Sequence, residues 1–299
     1  MSDNNCILLK GLDGSNPLAF LAAMGTLRTL TLALPDETVK MSWEQHDGAW
    51  RPRVNVHYPP ENLVSLLIKS LKNERNEHPS HFVGNDDQIS SFYAVARKGG
   101  CFEDGLDQWI VALTSDLHPN ATSQLQLTRR DYFAGNLDEI ICKTTPDSLH
   151  RTLFQPWRYD DRLSGQSLHL EPSEDRRHAY QWNKPAGDPN RIKSGNMLGA
   201  NRLAIEAIPL FLGLPSKNPD RLFVTGWTGV RSDNSRWTWP IWSRLIELPI
   251  VRSLIALNVL QNEKPDIGEL RARGIVAAYR CRRILVEQTP NLTPAMVVG

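Results

Sequence analysis

The segment CILLKGLDGSNPLAFLAAMGTLRTLTLA, residues 6–33, contains an apolar run, a polar turn and a long apolar stretch. The run Cys6–Leu9 predicts a short strand, which ends in the turn Gly11–Ser15. Asn16 predicts a helix N-cap, because its side-chain oxygen can accept from the free amides of the first turn. Pro17 suits the first helical position, where a missing N–H costs nothing. The segment therefore predicts a strand, a turn and a helix.

Apolar residues recur along this helix at the spacing of one helical face. Phe20, Met24 and Leu27 share that face, and further leucines lie beside it, so we expect the helix to be mostly buried. Gly25 in the middle of the helix predicts the close approach of a second backbone.

Beyond this segment, helix and strand patterns alternate irregularly. A hairpin is predicted at Val39–Val56, with its turn at His46-Asp47-Gly48. Helices are predicted at Pro60–Asn73 and Leu106–Leu117, and a surface loop over the polar residues 73–105. The C-terminal third predicts a further set of elements. The first is a helix from Leu198 that ends or kinks near Pro209. A strand at Leu222–Trp227, a strand containing Trp237, Trp239 and Ile241, and a helix from Pro249 follow. The last are a short helix with a capping box between Asp266 and Glu269 that ends at Gly274, and a long strand at Ile275–Val286. Interleaved hairpins and helices without a regular βαβ rhythm predict an α+β fold.

The charge is divided unevenly between the two halves. Residues 1–150 carry 13 basic and 19 acidic side chains, whereas residues 151–299 carry 21 and 14, and 17 of those 21 are arginine. We therefore distinguish an acidic N-terminal region, 1–150, from a basic C-terminal region, 151–299, which can still form one continuous domain. An arginine-rich half favours a polyanionic partner, although surface ion pairs would give the same composition.

Composition also limits the compartment and the chemistry. No run approaches the roughly 18 apolar residues of a membrane span, Met1–Asn5 is polar and acidic rather than signal-like, and the cysteines are widely spaced without a CxxC pair. We expect a cytoplasmic protein that binds no membrane.

The sequence shows no recognisable catalytic, cofactor or metal motif. The turn Gly11–Ser15 lacks the pattern of a P-loop or a Rossmann turn, and proline interrupts the pair His78 and His81. The paired acids Asp86–Asp87 and Asp160–Asp161 lie in polar segments, where solvated side chains are the usual outcome. We expect no catalytic residue, no metal and no cofactor. A metal-dependent nuclease or other hydrolase, with a site assembled from distant loops, stays open as an alternative.

The strongest positive pattern is a group of five arginines. They are Arg271, Arg273, Arg280, Arg282 and Arg283. Strand alternation places Arg280 and Arg282 on one face, and unneutralised arginines so close together favour contacts with nucleic-acid phosphates. Neutralisation by Glu263, Asp266, Glu269 and Glu287 is the alternative.

The loop Thr228–Arg236 is a second candidate. Arg231, Asn234 and Arg236 have the side chains that read base edges, on a loop that glycine makes adaptable. An ordinary hairpin loop would look the same. The nearby Trp237, Trp239 and Trp242 could stack on bases, but their strand spacing favours the core.

Five segments together resemble one family. They are Asn16–Arg28, Pro156–Tyr159, Gly199–Ala204, Thr238–Trp242 and the region from Val251–Leu254 to Arg280–Arg283. They look like proteins encoded beside type I-G (formerly I-U) CRISPR effectors. Members of that family usually have leucine where Met24 stands.

The resemblance implies a compact large-subunit-like component of a Cascade-type surveillance complex. Such a subunit is not a nuclease: it binds the 5′-handle region of the guide RNA, recognises the motif flanking the double-stranded DNA target and gives the helicase-nuclease its landing site. The implied partners are therefore guide RNA, target DNA, the CRISPR backbone subunits and the helicase-nuclease. A pure protein–protein adaptor is a further alternative.

Overall fold

The computed structural model describes residues 6–71, 86–98, 106–115, 122–128, 130–161, 165–172, 196–215, 221–229, 235–286 and 289–298. Within these residues, helices are interleaved with three small sheets. Most of the strand pairs are antiparallel. The predicted α+β class is confirmed.

The helices of these residues differ widely in length. In chain order they are α1 (Pro17–Ala33), α2 (Pro60–Leu71), α3 (Asp86–Arg97), α4 (Leu106–Leu113), α5 (Arg130–Lys143), α6 (Pro146–Phe154), α7 (Leu198–Ala207), α8 (Leu248–Ile255) and α9 (Ile267–Ala272). A 3₁₀ turn at Ile208–Leu210 follows α7, so that helix ends next to Pro209 as predicted.

The strands are mostly short. In chain order they are β1 (Cys6–Leu8), β2 (Lys40–His46), β3 (Ala49–Asn55), β4 (Thr122–Ser123), β5 (Gly213–Pro215), β6 (Arg221–Val224), β7 (Trp227–Thr228), β8 (Arg236–Trp242), β9 (Ile246–Glu247), β10 (Ile275–Val286), β11 (Thr289–Leu292) and β12 (Met296–Val297). One sheet has the order β1-β3-β2-β9, a second β11-β10-β8-β7 with β12 also beside β10, and a third β4-β6-β5.

Helix α1 lies at the centre of the molecule. The Asn16 side chain accepts from the amides of Leu18 (2.9 Å) and Ala19 (3.2 Å), which confirms the predicted N-cap. Every residue from Pro17 to Leu30 is buried. A Cβ atom at Gly25 would lie 1.7 Å from the carbonyl oxygen of Leu203 in α7, so the predicted close backbone approach is also confirmed.

The hairpin β2–β3 is confirmed with its predicted turn. Asp47 and Gly48 connect the strands with φ of 50° and 73°. Two consecutive positive φ values are typical of the tight hairpin turn whose twist matches that of its strands.

Two of the predicted loops and strands are wrong. Residues 73–105 include α3, which forms because Ile89 and Phe92 are buried one helical turn apart, with Phe92 packed against Ile110 of α4. The single strand predicted at Leu222–Trp227 is divided into β6 and β7, because the chain turns at Gly226 with φ of 83°.

One hydrophobic core contains buried residues from both halves of the chain. Two tryptophans of β8 join these halves by hydrogen bonds. The Trp239 indole donates to the carbonyl of Gly14 (2.8 Å), and the Trp242 indole donates to the carbonyl of Met41 (2.9 Å). The acidic and basic regions therefore share their interior.

Candidate functional site

The pairing of β8 with β10 decides where the arginines point. Tyr279 lies opposite Trp239 and Cys281 opposite Trp237 on one face of this pair. The other face carries Thr238 and three arginines, at positions 236, 280 and 282. The predicted placement of Arg280 and Arg282 on one face of the strand is therefore observed.

Arg280 has a structural role rather than the predicted phosphate contact. Its side chain is only 7% exposed, and its Nε donates to Thr238 Oγ1 at 2.8 Å. Its two Nη atoms donate to three main-chain carbonyls, those of Leu260 (2.8 Å), Asn262 (2.6 Å) and Glu263 (3.0 Å). Burial, and then the charge of Arg236, lower the pKa of Arg280. The guanidinium thus holds the segment after α8 against the sheet.

The other arginines of this group differ in environment. Arg283 is buried (4% exposed) on the opposite side of β10 from Arg282. The prediction that Arg283 contacts nucleic acid at the surface is therefore wrong. Arg273 forms an ion pair with Glu269 at 2.6 Å. Of the predicted capping box, the bond from the Glu269 amide to the Asp266 side chain is present, but the return bond from the Asp266 amide to the Glu269 side chain is not. Arg271 is exposed.

Arg236 and Arg282 form what we call the arginine pair. They are direct cross-strand neighbours on β8 and β10, Arg282 being exposed and Arg236 partly exposed. Neither guanidinium makes an ion pair with any residue that the structure describes. Like charges directly opposite each other destabilise an antiparallel pair, and Arg280 adds a third positive charge on the same face. This position therefore favours an anion.

The candidate loop starts and ends at a rigid base next to the arginine pair. The buried Gln124 side chain donates to the carbonyl of Gly229 (2.7 Å) and to Ser235 Oγ (3.2 Å), and it accepts from the amide of Val224 (3.0 Å). The predicted base readers Arg231 and Asn234 lie outside the described residues. Sequence reasoning did not identify Gln124, because nothing local distinguishes it from other polar residues.

The tryptophans of β8 belong to the core, as their spacing favoured. Trp237 and Trp239 are fully buried and Trp242 is 1% exposed. Phe20 of α1 packs against both Trp237 and Trp239, with ring centroids about 6 Å apart. These rings are therefore not available for stacking on bases.

A cleft of about 490 Å³ opens where the turn Gly11–Asn16 meets the segment Pro156–Tyr159. Trp157 and Tyr159 line it with rings 5.8 Å apart at 84°. The hydroxyl of Tyr159 accepts from the Asn16 side chain at 3.3 Å. Sequence reasoning used Pro156–Tyr159 only for the resemblance. The available signal was two aromatic residues two positions apart in a polar, proline-containing segment.

Two charged side chains also line this cleft. Asp13 Oδ1 accepts from the amide and the hydroxyl of Ser15, both at 2.8 Å, whereas its Oδ2 accepts from no described residue. Arg51 on β3 forms no side-chain hydrogen bond or ion pair with the described parts of the chain. The cleft thus offers an acceptor, a cation and an aromatic wall.

Four of the five segments that carry the family resemblance meet around α1. Asn16 contacts Tyr159, Gly25 lies against Leu203, and Trp239 bonds to the turn before α1. A buried ion triad lies beside Gly25. In it, Glu206 accepts from Arg28 (3.1 Å) and from Arg202 (2.8 Å). These segments therefore form one packed unit.

The acidic pair Asp160 and Asp161 is held by an arginine. Arg151 donates to Asp160 (2.8 Å), to Asp161 (2.9 Å) and to Asp147 (2.9 Å), and hydrogen bonding to Asp161 raises the pKa of Arg151.

Among the described residues, no three His, Cys, Asp or Glu side chains are grouped as metal ligands. His78 and His81 lie outside those residues. No described helix is both long and apolar enough to span a membrane.

Comparison with protein-family models, curated proteins and solved structures finds no match to this chain.

Proposed function

We propose that this chain is a non-catalytic subunit of an RNA-guided CRISPR surveillance complex in the cytoplasm. Its role is to bind the 5′-handle region of the guide RNA, to recognise the motif that flanks a double-stranded DNA target, and to help recruit the helicase-nuclease. The sequence resemblance suggests this role. The contact surface is the arginine pair together with the loop that begins and ends beside it.

One observation carries the nucleic-acid part of the proposal. Arg236 and Arg282 face each other across two paired strands without a described acidic partner. Two adjacent guanidinium groups repel each other unless anions lie between them, and successive phosphates of a nucleic-acid backbone supply such anions. Arginine also binds phosphate through two parallel hydrogen bonds.

The rigid base of the loop supports the recognition part. Gln124 holds Gly229 and Ser235 together, so a short polar tip between them can enter a groove at little ordering cost. Arg231 and Asn234 are the proposed base readers of this tip, and Arg236 lies where the loop returns to the sheet.

The first experiment compares two double variants of equal charge. We expect Arg236→Ala with Arg282→Ala to weaken binding of duplex DNA and of RNA alike, and to reduce the slope of log K against log salt by roughly two units. The control is Arg244→Ala with Arg252→Ala, which removes two exposed charges beyond the other end of β8. Equal loss in both variants would mean that net charge alone attracts nucleic acid. No loss in the first variant would overturn the proposed surface.

The second experiment tests the complex itself. Tagged protein should co-purify with a backbone subunit and a small RNA of uniform length, and it should leave labelled DNA and RNA intact in Mg²⁺ or Mn²⁺. Turnover that survives repurification, and is lost on replacing one Asp or Glu, would instead identify a nuclease.

A third experiment uses the purified complex to test base reading. Arg231→Ala should weaken binding to a target with the correct flank by about 1–3 kcal/mol, and leave binding to a target with a scrambled flank unaffected.

A further inference from the structure

The cleft beside the turn Gly11–Asn16 lies on the other side of the sheet from the arginine pair. The Gly14 carbonyl of the turn accepts from the indole N–H of Trp239 at 2.8 Å. Trp239 and Tyr279 lie on the face of the β8–β10 pair that points away from Arg282. The proposed phosphate contact therefore does not account for the cleft.

The aromatic wall of the cleft is held in place before any ligand binds. The indole N–H of Trp157 donates to the carbonyl of Thr152 at 3.0 Å, which fixes the orientation of a ring that packs partly against the core and is partly exposed. Tyr159 has a φ of 52°, a left-handed conformation that is unfavourable for a bulky side chain. Such conformations persist where the surroundings impose them, and they concentrate at binding sites.

The polar groups of the cleft define what could bind. The first amides of α1 are already bonded to Asn16, so the helix terminus offers no anion site. Two polar groups of the cleft form no hydrogen bond with the described residues: the carboxylate oxygen Oδ2 of Asp13 and the guanidinium of Arg51. A ligand that matches them needs a hydrogen-bond donor at one end, a negative charge and a flat face.

We propose that this cleft binds one unpaired nucleotide of a nucleic-acid strand. The base stacks on Trp157, its exocyclic amino group donates to Asp13 Oδ2, and its phosphate lies near Arg51. A cleft of about 490 Å³ falls in the range that small ligands occupy. Unpaired bases are commonly recognised in this way, by stacking on aromatic rings and by hydrogen bonds to their edges. This inference rests on the proposed function only in taking nucleic acid as the partner.

The arrangement predicts a preference among bases. Adenine, cytosine and guanine carry an exocyclic amino group, whereas uracil and thymine do not. Cytosine and uracil have the same size but differ at C4, where cytosine carries an amino donor and uracil a carbonyl that a carboxylate repels, so they test the contact of this group with Asp13. A hydrogen bond to a carboxylate gives a preference of about 10-fold or more for oligo(C) over oligo(U).

The test measures binding of short, fluorescently labelled oligo(C) and oligo(U), as RNA and as DNA, to the isolated full chain. Asp13→Asn keeps the Oδ1 that accepts from Ser15 and replaces Oδ2 by an amide donor, so the preference should disappear or reverse towards oligo(U). An unchanged ratio would overturn the proposal. If free CMP bound as tightly as oligo(C), the proposal would also be overturned, because the ligand would then be a free nucleotide and not a strand.

Three further variants separate stacking and charge from folding. Trp157→Ala should weaken both oligonucleotides about 10-fold or more, and Trp157→Phe should restore most of that loss, although it also lacks the bond to Thr152. If phenylalanine behaves like alanine, the ring is only structural and the proposal fails. Arg51→Ala should weaken binding and Arg244→Ala should not, because Arg244 carries the same charge and is exposed but does not line the cleft. Equal effects of these two variants would contradict the proposal.

The outcomes also separate this inference from the proposed function. Loss of binding in the Arg236 and Arg282 double variant, with no change of base preference in Asp13→Asn, would leave the proposed function standing and remove the nucleotide cleft. If the unaltered chain bound no oligonucleotide, both would be overturned.

Discussion

Replacing Gly25 by alanine is the most direct test of the packing that organises the molecule. In an isolated helix this substitution stabilises by about 1 kcal/mol, because alanine has the higher helix propensity. Here the added Cβ would lie 1.7 Å from the carbonyl oxygen of Leu203, 2.7 Å from the Leu203 carbonyl carbon and 3.2 Å from the amide nitrogen of Ala207. All three are main-chain atoms of one helix, α7, so no side-chain rotation relieves the clash.

The size of the effect follows from the separation that the two helices would need. Since Cβ contacts essentially never fall below 3.0 Å, α1 and α7 must move apart by about 1.3 Å at this point. A gap of 0.5–1 Å already removes about a quarter to a half of a van der Waals contact, and overpacking a core typically costs about 1–3 kcal/mol. With the ion triad beside Gly25 also displaced, we expect Gly25→Ala to lower the free energy of unfolding by about 2–4 kcal/mol.

The control is the same substitution where it should have the opposite sign. Gly135 lies exposed in α5, and no atom lies within 4 Å of an added Cβ, so Gly135→Ala should stabilise by about 0.5–1 kcal/mol. Urea unfolding followed by circular dichroism and by tryptophan fluorescence gives both values. If Gly25→Ala is as stable as the unaltered protein, or if both variants change stability alike, the argument from the approach of α1 and α7 is refuted.

Two further predictions concern buried groups. Glu206→Gln leaves two buried arginines beside a neutral side chain, so it should lower the free energy of unfolding in urea by about 3–5 kcal/mol. Glu269→Gln, in an exposed ion pair, should lower it by under about 1 kcal/mol. Similar losses in the two variants would contradict this prediction. Complete burial raises the pKa of the Cys281 thiol. A thiol reagent at pH 8 should therefore modify the exposed Cys142 quickly and Cys281 only after unfolding. Equal modification rates of the two cysteines, measured by mass spectrometry, would contradict this prediction.

The sequence predicts those parts of the fold that local chemistry determines. The N-cap at Asn16, the turn at Asp47–Gly48 and the close contact at Gly25 each depend on one residue type whose conformational or steric properties have few alternatives. Helices α5 and α6 were not predicted, although α6 begins with Thr145 as its cap and with Pro146. Helix α3 was missed because its burial depends on Ile110, which is distant in sequence.

The candidate sites were less predictable, because exposure of a charged side chain depends on what the rest of the chain places over it. Strand alternation correctly put Arg280 and Arg282 on one face, but it could not show that the carbonyls after α8 cover Arg280 and leave Arg282 exposed. The cleft is the extreme case. Asp13, Arg51 and Trp157 come from three separate segments, and nothing in their local sequences indicates that they meet.

The hydrogen bonds of the β8 tryptophans have a consequence for synthesis on the ribosome. Trp239 and its acceptor Gly14 are 225 residues apart, and Arg28 and Glu206 are 178 apart. At about 5–20 residues per second, α1 waits roughly 10–45 s after its own synthesis before the residues that cover it emerge. During that time α1, one of the most apolar segments of the chain, has Trp43 of β2 and helix α2 beside it but lacks the cover that α7 and β8 supply, which makes it a natural binding site for chaperones. Slow translation should therefore increase aggregation, and expressing residues 1–150 alone should give insoluble protein.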